Sequence, residues 1–301
     1  MDLMKSVSIR ELKDGFASYM REVAEGARFR ITNHGQAVAV LGPDVEEPAP
    51  IPPRIGEVIG GRLVEVHRLL NASPRRGFCP ARMAAIMEMP RPVDLERLMR
   101  AEDDVTFEFL DRFADTFAAS RDWIRYGVGA PFEARRSDTY QSGESLLQIV
   151  ESANPKTLYF VKDTSDACRA TIVAEVEPHR FRVIFEPIHV SSQNGNGGAG
   201  RLVSFFDLVT LLQGRSTRWS MTGVLVSPEA FDALLGGSWW PGKVCLGGNQ
   251  STWWDDFTDI SGKYPISSGY ASAHGKAFVD AQEIVRYHQK ERNERDGAIP
   301  E

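Results

Sequence analysis

Residues 6–43, SVSIRELKDGFASYMREVAEGARFRITNHGQAVAVLGP, contain the signals of one small folding unit. Ser8 and Glu11 form the S-x-x-E pattern of a capping box, in which each side chain binds a free backbone N–H at a helix start. Apolar residues then recur at helical spacing, and these are Ile9, Leu12, Phe16, Tyr19, Met20 and Val23. Gly26 is a typical residue at which such a helix ends.

Two short strands are predicted after this helix. RFRIT (28–32) alternates polar and apolar residues, AVAVL (37–41) returns as its partner, and NHGQ (33–36) between them is a typical turn. With Val7 in a short strand before the helix, the stretch is a β-α-β-β unit. So small a unit buries too little surface to offset a backbone entropy of about 1–2 kcal/mol per residue. We therefore expect a homodimer, with sheet joined to sheet.

Three segments of this unit, V-S-I-R-E-L-K, R-x-x-I-T and A-V-A-x-L, resemble the prevent-host-death (Phd/YefM) antitoxin family over residues 5 to about 43. The resemblance implies a dimer that binds double-stranded operator DNA and represses its own operon. It also implies DNA contacts at the helix start and at the turn after the second strand, and the matching residues are Ser8, Arg10, Lys13, Asn33 and His34. Cations suit phosphate groups, while hydroxyl and amide groups suit base edges or the backbone. For Arg10 and Lys13, the alternative is an ordinary solvated helix face.

Residues 42–56, GPDVEEPAPIPPRIG, mark a domain boundary. Five prolines beside acidic residues cannot continue a helix or a central strand, so we predict a stiff, extended linker over residues 44–56. Members of the family usually have a short flexible tail after this unit, which wraps a toxin protein, and here this linker and two further domains replace that tail. The alternative to the main prediction is that the C-terminal domain neutralises a toxin partner.

Residues 57–127 are predicted to form a helical domain of five short helices. Its first helix carries an apolar stripe at i, i+4, i+7 and i+11, formed by Ile59, Leu63, Val66 and Leu70. The segment ends in W-x-x-x-G (123–127) and resembles the lambda-repressor-like helix-turn-helix family.

In the helix-turn-helix family the third helix enters the major groove of DNA. The resemblance therefore implies DNA contacts by Arg91, Arg97 and Arg100, which lie on or before the third predicted helix. Asp94 and Glu96 lie in the same helix and repel phosphate. A packing or dimerisation role for this helix is the alternative.

A third domain is predicted over residues 144–301, with strands and helices in mixed order. Strands are expected at TLYFVKD (157–163), CRATIVAEV (168–176), RFRVIFEPIHV (180–190) and MTGVLVS (221–227). Helices are expected at RLVSFFDLVTLLQG (201–214), PEAFDALLGG (228–237) and residues 275–296. We interpret this α+β region as a sensor or partner-binding domain.

The C-terminal region contains weak candidates for a catalytic site. Asp255, Asp256 and Asp259 in WWDDFTD could bind a metal or act as acid and base, but no histidine lies close by in sequence. The glycine-rich stretch 191–201 lacks the spacing of a phosphate-binding motif. The tryptophans suit a ligand pocket or a partner contact, but packing in the core and loops is the favoured interpretation. We predict no metal, no cofactor and no enzymatic activity, with an enzyme fused to a DNA-targeting module as a third hypothesis.

Composition limits the protein class. The chain has 301 residues, enough for two or three domains, and 42% of them are hydrophobic. A net charge of −6 disfavours a protein that is basic throughout but allows a local basic patch. Three scattered cysteines indicate a reducing cytoplasm, and no apolar segment has the length of a membrane span or a signal peptide.

The sequence thus predicts a cytoplasmic, multidomain α+β protein that is a dimeric, sequence-specific DNA-binding repressor. Its domains are predicted over 1–43, 57–127 and 144–301, with the linker over 44–56.

Overall fold

The computed structural model describes residues 5–43, 53–72, 77–133, 136–192, 196–215, 217–260 and 267–296. The chain divides into two compact units, Met1–Pro52 and Pro53–Glu301. Most of the predicted linker, residues 44–52, lies outside the described residues. Its last two residues, Ile55 and Gly56, already belong to a helix.

The first unit has the predicted β-α-β-β order. Its elements are β1 (Lys5–Ser8), α1 (Ile9–Ala24), β2 (Phe29–Asn33) and β3 (Gln36–Leu41). The sheet order is β1-β2-β3, with β1 parallel and β3 antiparallel to β2. Its core contains Val7, Val23 and Phe29, with Leu12, Tyr19 and Leu41 among the partly buried residues packed around them.

Local backbone signals fix the ends of these elements. Ser8 Oγ accepts a hydrogen bond from Glu11 N at 3.2 Å, and Glu11 Oε2 accepts one from Ser8 N at 2.8 Å, so the predicted capping box is present. Gly26 follows the helix with φ +99°. His34 and Gly35 both have positive φ, which a two-residue hairpin turn of the primed type requires.

The second unit is built around one sheet. Its strands are β4 (Thr157–Asp163), β5 (Arg169–Glu177), β6 (Arg180–Val183), β7 (Ile188–His189), β8 (Ser220–Val226) and β9 (Asn249–Ser251). The order is β6-β5-β4-β8-β9, and β7 also pairs with β5. The central pair β4–β8 is parallel, and the other pairs are antiparallel.

Helices cover both faces of this sheet. In chain order they are α2 (Ile55–Leu70), α3 (Pro80–Ile86), α4 (Pro92–Met99), α5 (Phe107–Phe117), α6 (Arg121–Tyr126), α7 (Gly143–Ala153), α8 (Asn196–Gln213), α9 (Pro228–Leu235), α10 (Pro241–Gly247), α11 (Trp253–Thr258), α12 (Ser267–His274) and α13 (Lys276–Asp296). Apolar residues of α2–α6, α9 and α10 belong to one core cluster. Those of α7, α8 and α11–α13 belong to a second cluster.

Alternation along the strands assigns side chains to these two clusters. In β4, Tyr159 and Val161 join the first cluster, while Leu158 and Phe160 join the second. Successive residues of a strand point to opposite faces, so a strand covered on both sides is apolar throughout. The predicted α+β pattern is therefore arranged as helix layers on both sides of a mixed sheet.

The helices predicted over 57–127 share a core with the sheet. Phe117 of α5 contacts His179 with ring centroids 5.8 Å apart, and Phe78 contacts Trp240 at 5.8 Å. Residues between the second and third predicted domains also join the core: Phe132 is buried, and Ser137 forms a bridge with Phe185. The two predicted domains 57–127 and 144–301 thus lie within one compact unit.

The structure differs from the predicted elements in two respects. The strand expected over 180–190 is interrupted between β6 and β7, in a segment containing Pro187, which has no N–H for a ladder hydrogen bond. Strand β9 and helices α7, α10, α11 and α12 were not predicted. The strand has three residues, and the helices are short or rich in glycine and serine, so periodicity alone gives a weak signal for these elements.

Candidate nucleic-acid interface

The first unit brings the predicted DNA-contact residues to one edge. In the parallel register of β1 and β2, Ser8 pairs with Thr32, so the start of α1 lies at the same end of the sheet as the β2–β3 turn. Arg10 and Lys13 occupy the first turns of α1, and Asn33 and His34 occupy the turn. The start of α1 and the β2–β3 turn, some twenty residues apart in sequence, therefore lie at one edge of the unit, which we call the DNA edge.

The side chains of this edge differ in availability. Arg10, Lys13, Asn33 and His34 are all exposed. Within the described part of the chain, Arg10 and Lys13 have no hydrogen-bonded or ion-pair partner. These cations are accordingly free to meet an anion at the positive end of the helix dipole.

Ser8 is committed to the helix cap. Its hydroxyl accepts from Glu11 N and donates to Glu11 Oε2 at 2.7 Å, and the side chain is half-buried. The hydroxyl, followed by the backbone N–H of Ser8, lowers the pKa of Glu11 from its ordinary value. The structure therefore gives Ser8 a positioning role at the start of α1.

Exposed apolar side chains lie on the same unit. Phe16 and Met20 of α1 are 55% and 39% exposed. Only part of the apolar stripe predicted on α1 is therefore buried, because Leu12, Tyr19 and Val23 face the core while Phe16 and Met20 do not. We call Phe16 and Met20 the apolar face.

Val38 and Val40 of β3 are also exposed, at 55% and 60%. Val40 pairs with Arg30, whereas Leu41 pairs with the buried Phe29, so Val38 and Val40 point away from α1. Their exposure was missed from sequence, although AVAVL has the period of two that would indicate it.

The three predicted contacts on the helical segment are paired with carboxylates. Arg91 contacts Asp94 at 2.8 Å, Arg97 contacts Asp103 at 2.7 Å, and Arg100 contacts Glu96 at 3.6 Å. Asp94 raises the pKa of Arg91 through a side-chain hydrogen bond. The helix face that these arginines share is consequently close to neutral.

The aspartates of WWDDFTD are held by neighbouring side chains. Asp255 accepts from Gln213 at 2.7 Å, Asp256 contacts His274 at 2.9 Å, and Asp259 accepts from the hydroxyl of Tyr270 at 3.2 Å. This histidine, His274, is the last residue of α12 and lies 18 positions after Asp256 in the sequence, so proximity in the sequence did not suggest it. Among the described residues no group of three or more His, Cys, Asp or Glu could hold a metal ion.

The tryptophans of the second unit mainly fill its core. Trp240 and Trp253 are fully buried, and the indole N–H of Trp253 donates to the carbonyl of Phe160 at 3.0 Å. Trp254 stacks on the ring of Phe160 with centroids 4.7 Å apart. Core packing therefore accounts for these three residues.

Comparison with known proteins identifies the first unit. A family model described as Antitoxin Phd_YefM, type II toxin-antitoxin system, matches residues 4–43. Residues 4–43 are therefore a Phd/YefM antitoxin family domain. No curated protein and no solved structure matches the chain. Within the described residues, no helix is both long enough and apolar enough to span a membrane.

Proposed function

We propose that this protein is a dimeric DNA-binding regulator of the antitoxin type, which represses its own operon. The observation that carries the proposal is the edge of the first unit, where Arg10 and Lys13, which have no partner among the described residues, lie at the same end of the sheet as Asn33 and His34. Cations at a helix start bind backbone phosphates, and the amide and imidazole of the turn can reach base edges. Ser8 holds the helix start in place.

The apolar face supplies the proposed dimer contact. Phe16 and Met20 lie one turn apart on α1 and are exposed, so they leave an apolar surface that a second copy of the same surface would cover. A two-fold dimer presents two copies of the DNA edge, so its operator should be an inverted repeat. Binding should weaken steeply with salt, because phosphate contacts release bound counterions.

Arg91, Arg97 and Arg100 are secondary candidates in this proposal. DNA would have to displace carboxylates that now lie within 2.7 to 3.6 Å of them. Their net gain is therefore smaller than that of Arg10 and Lys13. A helix-turn-helix role of residues 57–127 would add to affinity only by avidity, after the first unit has docked.

Neutralisation of a toxin is the second candidate function. The description of the matching family supports it, since that description names a type II toxin–antitoxin system. Purification of the full chain after expression from its native operon tests it, because a neutraliser should retain a stoichiometric protein partner. DNA binding and toxin neutralisation are both binding functions, so neither requires a catalytic site. Substitution of Asp255, Asp256 and Asp259 by Ala should therefore leave DNA binding intact.

Charge reversal tests the DNA proposal. The Arg10→Glu/Lys13→Glu variant should bind a duplex from the region upstream of its gene at least tenfold more weakly, because two phosphate contacts become repulsive. Fluorescence anisotropy at several salt concentrations measures the affinity and its salt slope. Arg21→Glu/Arg28→Glu is the matched control, since it makes the same charge change on exposed side chains of the same unit.

Equal loss in the control would mean that only net charge matters, and full retention in Arg10→Glu/Lys13→Glu would refute the assigned edge. The Arg97→Glu/Arg100→Glu variant forms a third arm. Unchanged affinity there would exclude the helical segment as a DNA reader, whereas a tenfold loss would show a direct contact.

A further inference from the structure

A cavity of about 550 Å³ lies within the second unit, beside the carboxyl ends of β4 and β8. Lys162 and Thr164 at the end of β4 and Leu225 near the end of β8 are among its lining residues. These two strands are parallel neighbours, so both end at the same edge of the sheet. Ligands of open α/β sheets bind at such an edge.

Lys162 is a buried cation at this cavity. It is 4% exposed and lines the cavity, and it makes no hydrogen bond or ion pair with any other residue that the structure describes. Burial lowers its pKa. An isolated charge at such depth is destabilising unless an opposite charge reaches it.

The neighbouring carboxylate does not fill this role. Asp163 is fully buried, and its Oδ2 accepts from Arg169 Nε at 2.7 Å. Its Oδ1 accepts from the hydroxyl of Ser165 at 2.8 Å and from Arg169 N at 2.9 Å. Asp163 is thus used to fix the chain after β4. Burial lowers the pKa of Lys162 more than the charge of Asp163 raises it, and no described carboxylate forms an ion pair with the Lys162 ammonium.

The start of α13 lines the same cavity. Gly275, Lys276 and Ala277 are among its lining residues, and α13 is 21 residues long. The first N–H groups of a helix have no partner within it, and the helix dipole places partial positive charge there. Lys276 adds a second, exposed cation. Two independent features therefore favour negative charge in the cavity.

Acidic and neutral groups limit the size of the anion. Asp166 is exposed, and Asp280 accepts from the hydroxyl of Ser192 at 3.3 Å; both line the cavity. Burial raises the pKa of the Cys168 thiol, so this lining group is neutral near pH 7. Carboxylates at the cavity repel a polyanion such as DNA, whereas a small anion can reach Lys162 between them.

We propose that this cavity binds a small anion, a phosphate or carboxylate group, with Lys162 as its charge partner and the start of α13 as its N–H donor. The site is separate from the DNA edge of the first unit. A bound anion would remove the destabilisation of Lys162 and would order α13 against the ends of β4 and β8.

Titration calorimetry of the full chain tests the proposal, with inorganic phosphate and succinate as separate probes at constant ionic strength. Wild type should bind at least one probe, and Lys162→Met should lower that affinity about tenfold or more, because a charge-assisted hydrogen bond is lost. Lys156→Met is the matched control. Lys156 immediately precedes β4 at the opposite end of the strand, is exposed, and contacts Glu177.

The two probes distinguish a phosphate site from a carboxylate site. Absence of binding by both, or equal affinity in wild type and Lys162→Met, would overturn the proposal. A second measurement does not depend on the folding of a variant. In wild type, the NMR signal of the Lys162 side chain should show a pKa that rises when the binding probe is added, and an unchanged pKa would also overturn the assignment.

Discussion

The two units differ in how completely they cover their apolar residues. Among its described residues, the first unit buries three apolar side chains and leaves Phe16, Met20, Val38 and Val40 exposed to solvent. The second unit has helices on both faces of its sheet and two large core clusters. A unit of the first kind depends on a partner surface for stability, whereas one of the second kind is stable through its own interior.

The two units also differ in whether their cations are paired with carboxylates. In the first unit Arg10 and Lys13 have no partner among the residues described, while Arg91, Arg97 and Arg100 in the second unit each contact a carboxylate. Similar arginine-rich stretches therefore have different capacities to bind phosphate. The difference shows that charge in a sequence indicates a binding surface only when its local partners are known.

Removal of a core ring should produce the largest effect. Phe117→Ala is expected to lower the free energy of unfolding by about 3–5 kcal/mol, because Phe117 is fully buried between α5 and the sheet. Denaturation of the full chain measures it. Because helices α2–α6 share one core with the sheet, the whole second unit should unfold in a single transition. Phe107→Ala, on an exposed residue of the same helix, should change stability by less than about 0.5 kcal/mol.

A separate unfolding step of the helical segment in Phe117→Ala would instead support the predicted division between 57–127 and 144–301.

A polar substitution in the apolar face should weaken the dimer. Phe16→Ser is expected to raise the dimer dissociation constant about tenfold or more, since burying a Phe side chain contributes roughly 1.5–3 kcal/mol. Sedimentation at several concentrations measures it. Phe107→Ser is the control, because Phe107 is similarly exposed but belongs to the second unit. A monomeric wild type, or equal effects of both variants, would contradict the proposed dimer surface.

Loss of the helix cap should have the smallest effect. Ser8→Ala is expected to destabilise the first unit by about 1 kcal/mol, because Glu11 N loses its partner. Ser18→Ala, exposed within α1, is the control. Denaturation at a fixed protein concentration compares them, so that dimerisation does not alter the result.

The cap effect should also depend on pH. The folded pKa of Glu11 is lowered from 4.5, so its contribution to stability is present above that value and lost as pH falls through the folded pKa. The difference between wild type and Ser8→Ala should therefore shrink in acid. A difference that grows in acid would show that Ser8 does not act through the Glu11 carboxylate.

The first unit could be predicted almost completely from sequence. The capping box at Ser8 and Glu11, the stop at Gly26 and the turn at 33–36 are signals between residues close in the chain, and all are present in the structure. The first four helices of the segment 57–127 follow from apolar periodicity, which is also local. The edge that joins Ser8 to Asn33 required only the parallel pairing of β1 and β2.

The sequence by itself determined the β-α-β-β unit, its family resemblance and the positions of most longer elements, because these depend on neighbours along the chain. Only the tertiary structure decided that α2–α6 pack on the sheet, that Asp256 contacts His274, and that Lys162 and the start of α13 line one cavity. These arrangements join residues from 18 to more than 100 positions apart. They are set by which apolar faces cover one another, and no local pattern specifies that choice.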